Sequence, residues 1–401
     1  LAKNSDVEHP LYDAVIVGGG MVGAAQAVAL AKQKKRVLVI EKRVPVQDDL
    51  LAPPLRVSAI NLASEQYLSQ LDIWPHISPE SKCMFDQLAT WEKGTKPLVF
   101  SANDINTQHL GHLIKNESLQ LAAFMQIAQS EDLIDIMTSC ALCEITETND
   151  MVNLTVQDSK NQTFKTISCG LLIGADGAAS QVRSLSDIGI TGWDYQQQCL
   201  SITIKTHFET QHITWQEFQP SGPKAFLPLE NGYSVLIWYD HADKIKLLSQ
   251  LSEQMLVEQI VSQFPKLAGE FEVVKTASFP LTRRQANQYA KGRVVLIGDA
   301  AHTINPLAGQ GVNIGYQDVK CLSQQLETID VFEHNKLAQA LMGYQQQRKR
   351  EAQVMSAAMD AFYLLFSNDH KPLKFARTAL LNLASKFDWA KKQVLKKAVG
   401  Y

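Results

Sequence analysis

Gly18-Gly-Gly20-Met21-Val22-Gly23 constrains this chain more than any other run in it. It stands between an apolar stretch, Tyr12 to Val17, that reads as a strand and an alanine-rich stretch, Met21 to about Gln33, that reads as a helix. A second strand, Arg36 to Ile40, follows. Strand, helix and strand in that order imply parallel pairing through a right-handed crossover. The spacing then has a mechanical meaning. Gly18 allows the tight turn, Gly20 removes the side chain where a pyrophosphate must approach, and Gly23 lets the helix pack close to the strand. The helix N-terminus, with Met21 and Val22 in its first turn, faces the phosphates with partial positive charge. Glu41, 18 residues after Gly23, ends the second strand beside Lys42. A carboxylate there accepts hydrogen bonds from adenosine ribose hydroxyls and disfavours a 2′-phosphate. The motif fits FAD or NAD and does not choose between them.

Two later stretches choose flavin. Gly174-Ala-Asp176-Gly177-Ala-Ala-Ser180-Gln-Val-Arg183 follows a strand. Arg293-Val-Val-Leu-Ile-Gly298-Asp299-Ala-Ala-His302 contains another strand and its end, and continues through Pro306, Leu307, Gly309, Gly311, Val312 and Asn313. A buried strand that ends in Gly298 projects the Asp299 carboxylate into a cleft, where it can bind a ribityl hydroxyl. Pro306 stiffens the turn, and Gly309 and Gly311 let backbone lie against a flat ring. A helix starting near Val312 aims its N–H groups at the flavin edge that becomes negative on reduction.

In this order the three motifs resemble the aromatic-ring flavin monooxygenases of the para-hydroxybenzoate hydroxylase type. The resemblance implies that the Asp176-Gly177 element lies near the pyrophosphate and the nicotinamide path, and that Gly298-Asp299 binds the ribityl chain. It also puts Arg56 near the flavin and makes Gln120 a further FAD contact. Arg56-Val-Ser-Ala-Ile, Leu88-Ala-Thr-Trp-Glu, Thr214-Trp-Gln-Glu-Phe, Ala225-Phe-Leu-Pro-Leu, Phe279-Pro-Leu-Thr-Arg-Arg284 and Met359-Asp-Ala-Phe-Tyr-Leu-Leu-Phe-Ser-Asn368 are similar to the ubiquinone-biosynthesis hydroxylases. The implied substrate is the polyprenyl benzoquinol 2-polyprenyl-3-methyl-6-methoxy-1,4-benzoquinol. The implied chemistry is attack of an electron-rich ring carbon on a flavin C4a-hydroperoxide made from O2. The cofactor then carries the hard step, and the protein binds, orients and excludes water. No side chain stands out as a catalytic acid or base. His302, Pro306 and Leu307 are candidates for lying near the ring. With one glycine motif only, NAD(P)H as reductant would bind transiently in a surface groove. A reductase or dehydrogenase without oxygen insertion, another ring hydroxylase of the same pathway, and a non-catalytic flavoprotein subunit of a ubiquinone-biosynthesis assembly share these motifs.

The expected fold is α/β: a Rossmann-type FAD-binding domain with an interleaved antiparallel β-sheet substrate domain and C-terminal helices. The FAD-binding part is expected over 1–78, 110–187 and 277–330, the substrate sheet over 79–109 and 188–276, and a helical segment over 331–401. Ser201-Ile-Thr-Ile-Lys alternates with period two, and Trp215-Gln-Glu-Phe and Tyr233-Ser-Val-Leu-Ile-Trp extend that sheet.

With 38 Lys and Arg against 41 Asp and Glu, the net charge of −3 argues against a nucleic-acid partner. Six scattered cysteines fit a reducing, cytoplasmic setting. Cys140-x-x-Cys143 has no second pair at metal-site spacing, and His109-x-x-His112 has no acidic or third histidine neighbour in the sequence, so no metal is expected. No apolar run is long enough to span a bilayer. From Lys371 to Tyr401, Lys371, Lys374, Arg377, Lys386, Lys391, Lys392, Lys396 and Lys397 stand against one acid, Asp388, among interleaved apolar residues. Such a segment suits either a final helix with a solvated basic face or a peripheral contact with the inner membrane surface.

Overall fold

The computed structural model describes residues 11–304, 311–366 and 388–400. Its first sheet is built on five parallel strands, the central ones too hydrophobic to face water on either side. In spatial order Val294–Leu296, Phe164–Gly174, Leu11–Val17, Val37–Glu41 and Ile134–Thr138 lie side by side, all parallel. Ala14, Val15, Ile16, Val37 and Val39 are wholly buried, as a parallel sheet covered on both faces requires. The helix Met21–Lys32 is buried almost all round from Gly23 to Ala31, because alanine lets Asn116–Ala128 and Gly311–Leu326 pack closely on it. The chain also leaves this layer through the antiparallel strands Cys140–Glu147 and Val152–Asp158, which pair back onto Phe164–Gly174.

The register places the motifs. Val17 pairs with Gly174 and with Ile40, and Gly174 pairs with Leu296. The carboxyl ends of four adjacent parallel strands therefore lie along one edge, and each emits one of the sequence signals. Ligands of open α/β sheets bind outside this edge.

The second sheet has eight strands, ordered His302–Thr303, Phe271–Ala286, Ile190–Thr206, Tyr233–His241, Lys224–Pro228, Ile213–Phe218, Gln87–Glu92 and Leu98–Ser101. All neighbours are antiparallel except Ile213–Phe218 with Gln87–Glu92. The expected α/β class with an antiparallel partner sheet is what forms. Strand Phe271–Ala286 runs unbroken across residue 277 and pairs along almost the whole of Ile190–Thr206. Alternation sorts the latter strand's faces. Leu200, Ile202 and Ile204 pack under two helices, Ala242–Leu248 and Glu253–Gln263, with Trp238 and Phe264. Ser201 and Thr203 turn the other way and donate to the carbonyls of Leu55 and Pro54 in the first domain.

A third sheet, Val57–Asn61, Gly111–Lys115 and Lys82–Phe85, bridges the two layers. Long helices dominate after Gly311: Gly311–Leu326, His334–Phe366 and Asp388–Ala398. Leu395 and Val399 of the last region are buried against Leu62, Cys83 and Phe100, and the Ala63 N–H donates to Val399 O at 3.2 Å. Lys392, Lys396 and Lys397 face solvent. Lys371, Lys374, Arg377 and Lys386 lie outside the described residues, and of Lys391 only the helical backbone is described.

Candidate flavin site

Three motifs scattered over the sequence meet at the strand edge. Gly18 adopts φ +99°, and a Cβ on it would lie 2.4 Å from the Ala175 carbonyl oxygen. Only glycine lets the first turn pass the start of the second motif. Val22 reaches the third motif, where an added Cβ on Gly315 would lie 2.6 Å from its Cγ2. Arg183 closes the triangle: its guanidinium donates to Ala178 O and to Ala300 O, both at 2.9 Å.

The glycine loop is held by two side chains. Glu41 accepts from the Gly19 N–H at 2.6 Å and from the Lys42 N–H at 2.7 Å. Gln120 donates to Gly19 O at 2.9 Å. Above this loop there is room: a Cβ on Gly20 or on Gly177 would meet nothing within 4 Å. Asp176 caps the helix Gln181–Leu185 with Oδ2, which accepts from the N–H groups of Gln181 and Val182. Its Oδ1 is buried without a hydrogen-bond partner among the described residues. An open cradle, an N-terminal helix end and an orphaned acceptor together fit a dinucleotide lying across this edge.

Asp299 follows Gly298, which takes φ +58° at the strand end. Its side chain is open to solvent, yet enough protein surrounds it that desolvation raises its carboxyl above the usual range, against the pull of His302 and Arg56. This is the environment of a group at the base of a cleft. Arg56, exposed before strand Val57–Asn61, places its guanidinium carbon 6.0 Å from the Phe279 ring centre. Phe279, Tyr195 and Ile237 surround buried Cys199, Tyr239 and Leu281 on the face of the large sheet. An apolar wall of the second domain thus stands beside the arginine that senses Asp299.

Some expected residues are turned elsewhere. His302 is buried, with Nε2 2.6 Å from Asp318 Oδ2 and its ring centre 5.7 Å from that of Tyr289. Asn313 donates to Ala59 O at 2.7 Å and accepts from the Asn61 N–H at 3.1 Å, so these side-chain bonds tie its helix to Val57–Asn61. Gly311 and Val312 open the helix Gly311–Leu326. Pro306, Leu307 and Gly309 lie outside the described residues.

Sequence reasoning missed what holds the third motif. Asp318 is fully buried; its Oδ2 also accepts from the Gly298 N–H at 2.9 Å, and its Oδ1 from Arg348 Nε at 2.7 Å. Arg348 further donates to Ile314 O at 3.1 Å and to Glu351. Burial would raise the Asp318 carboxyl, but His302 and Arg348 outweigh it and hold it below the usual range. The signal was present as two charges on core-facing stripes: Asp318 beside Ile314 and Leu322, and Arg348 between Tyr344 and Ala352. A second correction concerns His109 and His112. The fold brings Glu65 to both, at 2.9 and 3.1 Å, so they do have an acidic partner.

A parallel sheet with a dinucleotide cradle, joined to a large antiparallel sheet, defines a two-sheet dinucleotide-binding fold whose three motifs suit a flavin. The chain is similar to the crystal structure of p-nitrophenol 4-monooxygenase PnpA from Pseudomonas putida DLL-E4, with a TM-score of 0.78, 17% identity, and coverage of 97% of this chain and 98% of that one. The sequence profile described as FAD binding domain matches residues 11–358. The 3-demethoxyubiquinol 3-hydroxylase of Escherichia coli (strain K12) is 37% identical over 389 residues, covering 96% of this chain and 97% of that protein. The ubiquinone biosynthesis monooxygenase COQ6, mitochondrial, of Rattus norvegicus is 30% identical, covering 96% and 90%. The chain belongs to the FAD-dependent hydroxylases of ubiquinone biosynthesis. It is a monooxygenase, and its cofactor is FAD.

Proposed function

We propose that this enzyme hydroxylates the ring of 2-polyprenyl-3-methyl-6-methoxy-1,4-benzoquinol, with O2 as co-substrate and NAD(P)H as the source of electrons. The observation that carries this reading is the meeting of all three motifs at one strand edge in a chain that matches the Escherichia coli 3-demethoxyubiquinol 3-hydroxylase over 96% of its residues. In this reading Gly18, Gly20, Met21, Val22 and Gly23 receive the pyrophosphate and Glu41 the adenosine ribose, with Lys42 and Gln120 supporting the loop. Asp176, Gly177, Gly298 and Asp299 line the middle of the cofactor. The N–H groups of Gly311, Val312 and Asn313 face the flavin edge, and Pro306 and Gly309 are assigned to the same contact by the sequence motif alone.

Bound FAD supplies the activation of oxygen, and the chain's own work is to bind, align and dry. Asp299 offers a charge-assisted acceptor at the cleft base. The positive charge of Arg56 lies beside both that acceptor and the apolar wall of Phe279, Tyr195 and Ile237, which suits a planar, electron-rich ring. Among the described residues no helix is long and apolar enough to cross a membrane. A polyprenyl chain nonetheless costs about 0.8 kcal/mol per exposed methylene. The exposed Lys392, Lys396 and Lys397 therefore support a peripheral contact with an anionic bilayer, from which the head group alone is taken up.

The test is a strain lacking the protein, with quinone intermediates identified by mass spectrometry, joined to purified enzyme turning over liposome-embedded substrate under 18O2. Accumulation of the 6-methoxy benzoquinol and one 18O atom per product are expected. Accumulation of a different intermediate overturns the substrate, and product without 18O overturns the hydroxylation.

A further inference from the structure

Apart from the flavin cleft, the fold gathers three metal-binding side chains that neither the hydroxylation nor the cofactor uses. We propose that Glu65, His109 and His112 form a site for one divalent transition-metal ion, of which zinc is the best match. His109 Nε2 lies 2.9 Å and His112 Nδ1 3.1 Å from the same carboxylate oxygen, Glu65 Oε2. All three donor atoms lie within 4.8 Å of one another. A tetrahedral zinc ion with arms of about 2.0–2.1 Å separates its ligand atoms by roughly 3.3 Å. Two of the three edges are already near that length, and an ion needs only small ring and carboxylate movements to be held.

The donors are of the right kind and on firm supports. Two imidazoles with one carboxylate suit zinc, cobalt or nickel and suit magnesium or calcium poorly, and three protein ligands leave a fourth position for water. Glu65 sits in the first turn of the helix Leu62–Gln70, whose cap Asn61 accepts from the Ser64 N–H at 3.0 Å. His112 belongs to the middle strand of the three-stranded sheet, and the Trp74 ring meets its ring edge-on at 5.3 Å. The carbonyl of His109 accepts from the Thr107 hydroxyl at 3.0 Å. The three side chains are 14–19% exposed, shielded from bulk water yet reachable by an ion. Lys82 also senses Glu65 but keeps its ammonium over the Trp74 ring, 5.3 Å from the centre. Without an ion, both rings must carry their protons inward and share one oxygen. An ion replaces those two protons with a single centre, and it would staple the helix to the sheet.

The experiment uses the full flavin-loaded enzyme, stripped with EDTA and dialysed. Zinc chloride is titrated by calorimetry, and zinc retained by the protein at equilibrium dialysis is counted by mass spectrometry. One zinc per chain with a dissociation constant of about 10 μM or tighter is expected, weakened at least tenfold in Glu65→Gln and in His112→Phe. Zinc retention equal in wild type and both variants, or none in wild type, overturns the site. A second measurement needs no variant: X-ray absorption of zinc-loaded wild type should show two imidazoles and oxygen. A sulfur-containing shell would assign the metal to cysteines and overturn the proposal.

Discussion

Asp318→Asn isolates the electrostatics under the third motif, because it keeps the shape of the side chain and removes its charge. In the native protein the carboxylate accepts from three donors: the Gly298 N–H, His302 and Arg348 Nε. An asparagine has one acceptor oxygen, so at least one of these donors must face its NH2 group. Arg348, itself almost fully buried, is left with Glu351 as its charge partner, and Glu351 is half exposed. Breaking a buried pair by removing one partner costs about 3–5 kcal/mol. The remaining Glu351 contact argues for the lower end, about 3 kcal/mol. Unfolding entropy of roughly 2.1 cal/mol/K per residue gives about 0.8 kcal/mol per degree for a chain of this length, so Tm should fall by about 4 °C. Urea unfolding followed by flavin and tryptophan fluorescence measures the same loss directly. The double variant with Arg348→Met should cost at least about 2 kcal/mol less than the two singles summed, because the second change removes the charge that the first stranded. The sign with pH is fixed too. The folded carboxyl is held below its unfolded value, so its contribution is complete above about pH 4 and is lost as pH falls below that. The gap between wild type and variant should be full at pH 7 and narrow in acid. A loss under about 1 kcal/mol, or strict additivity with Arg348→Met, would refute the account of this network.

Three further substitutions follow from the same reasoning. Asp299→Ala should weaken FAD binding by about 1.5–3 kcal/mol, roughly 10- to 150-fold, and Glu41→Ala by at least as much because it also frees the Gly19 N–H; unchanged affinity in both, measured by flavin fluorescence, would remove the basis of the site. Lys224 is buried with its ammonium over Trp238 at 5.1 Å and Phe264 at 5.7 Å, and burial pulls it down to about 8, so Lys224→Met should gain about 1–2 kcal/mol at pH 7 after the lost cation–π contacts are set against it. Because the folded value lies below the unfolded one, wild type recovers stability as pH rises from about 8 to 10.5, and the advantage of the variant should shrink over that range.

What could be read from the sequence, and what could not, follows from the range of the interactions. Gly18 and Glu41 were legible because a turn and a strand end impose their demands within one strand–helix–strand unit. The partner sheet was legible where one face is buried, as in Ser201 to Lys205, since alternation is a local pattern. The helices Ala242–Leu248 and Glu253–Gln263 escaped notice, although Ser252 caps the second of them, because short amphipathic pieces carry little periodic signal. His109 and His112 looked unpartnered because Glu65 lies 44 and 47 residues away in sequence and only the pairing of Val57–Asn61 with Gly111–Lys115 brings it near. Asp318 and Arg348 belong to the same class, 30 residues apart on two packed helices. A charged residue on an apolar stripe announces that a partner exists and says nothing of which one. The two cases differ in consequence. Asp318 must be satisfied for the flavin turn to hold its shape, so its partners are fixed by the fold itself. Glu65 and its two histidines hold together with protons alone, which leaves the same three atoms free to exchange those protons for an ion.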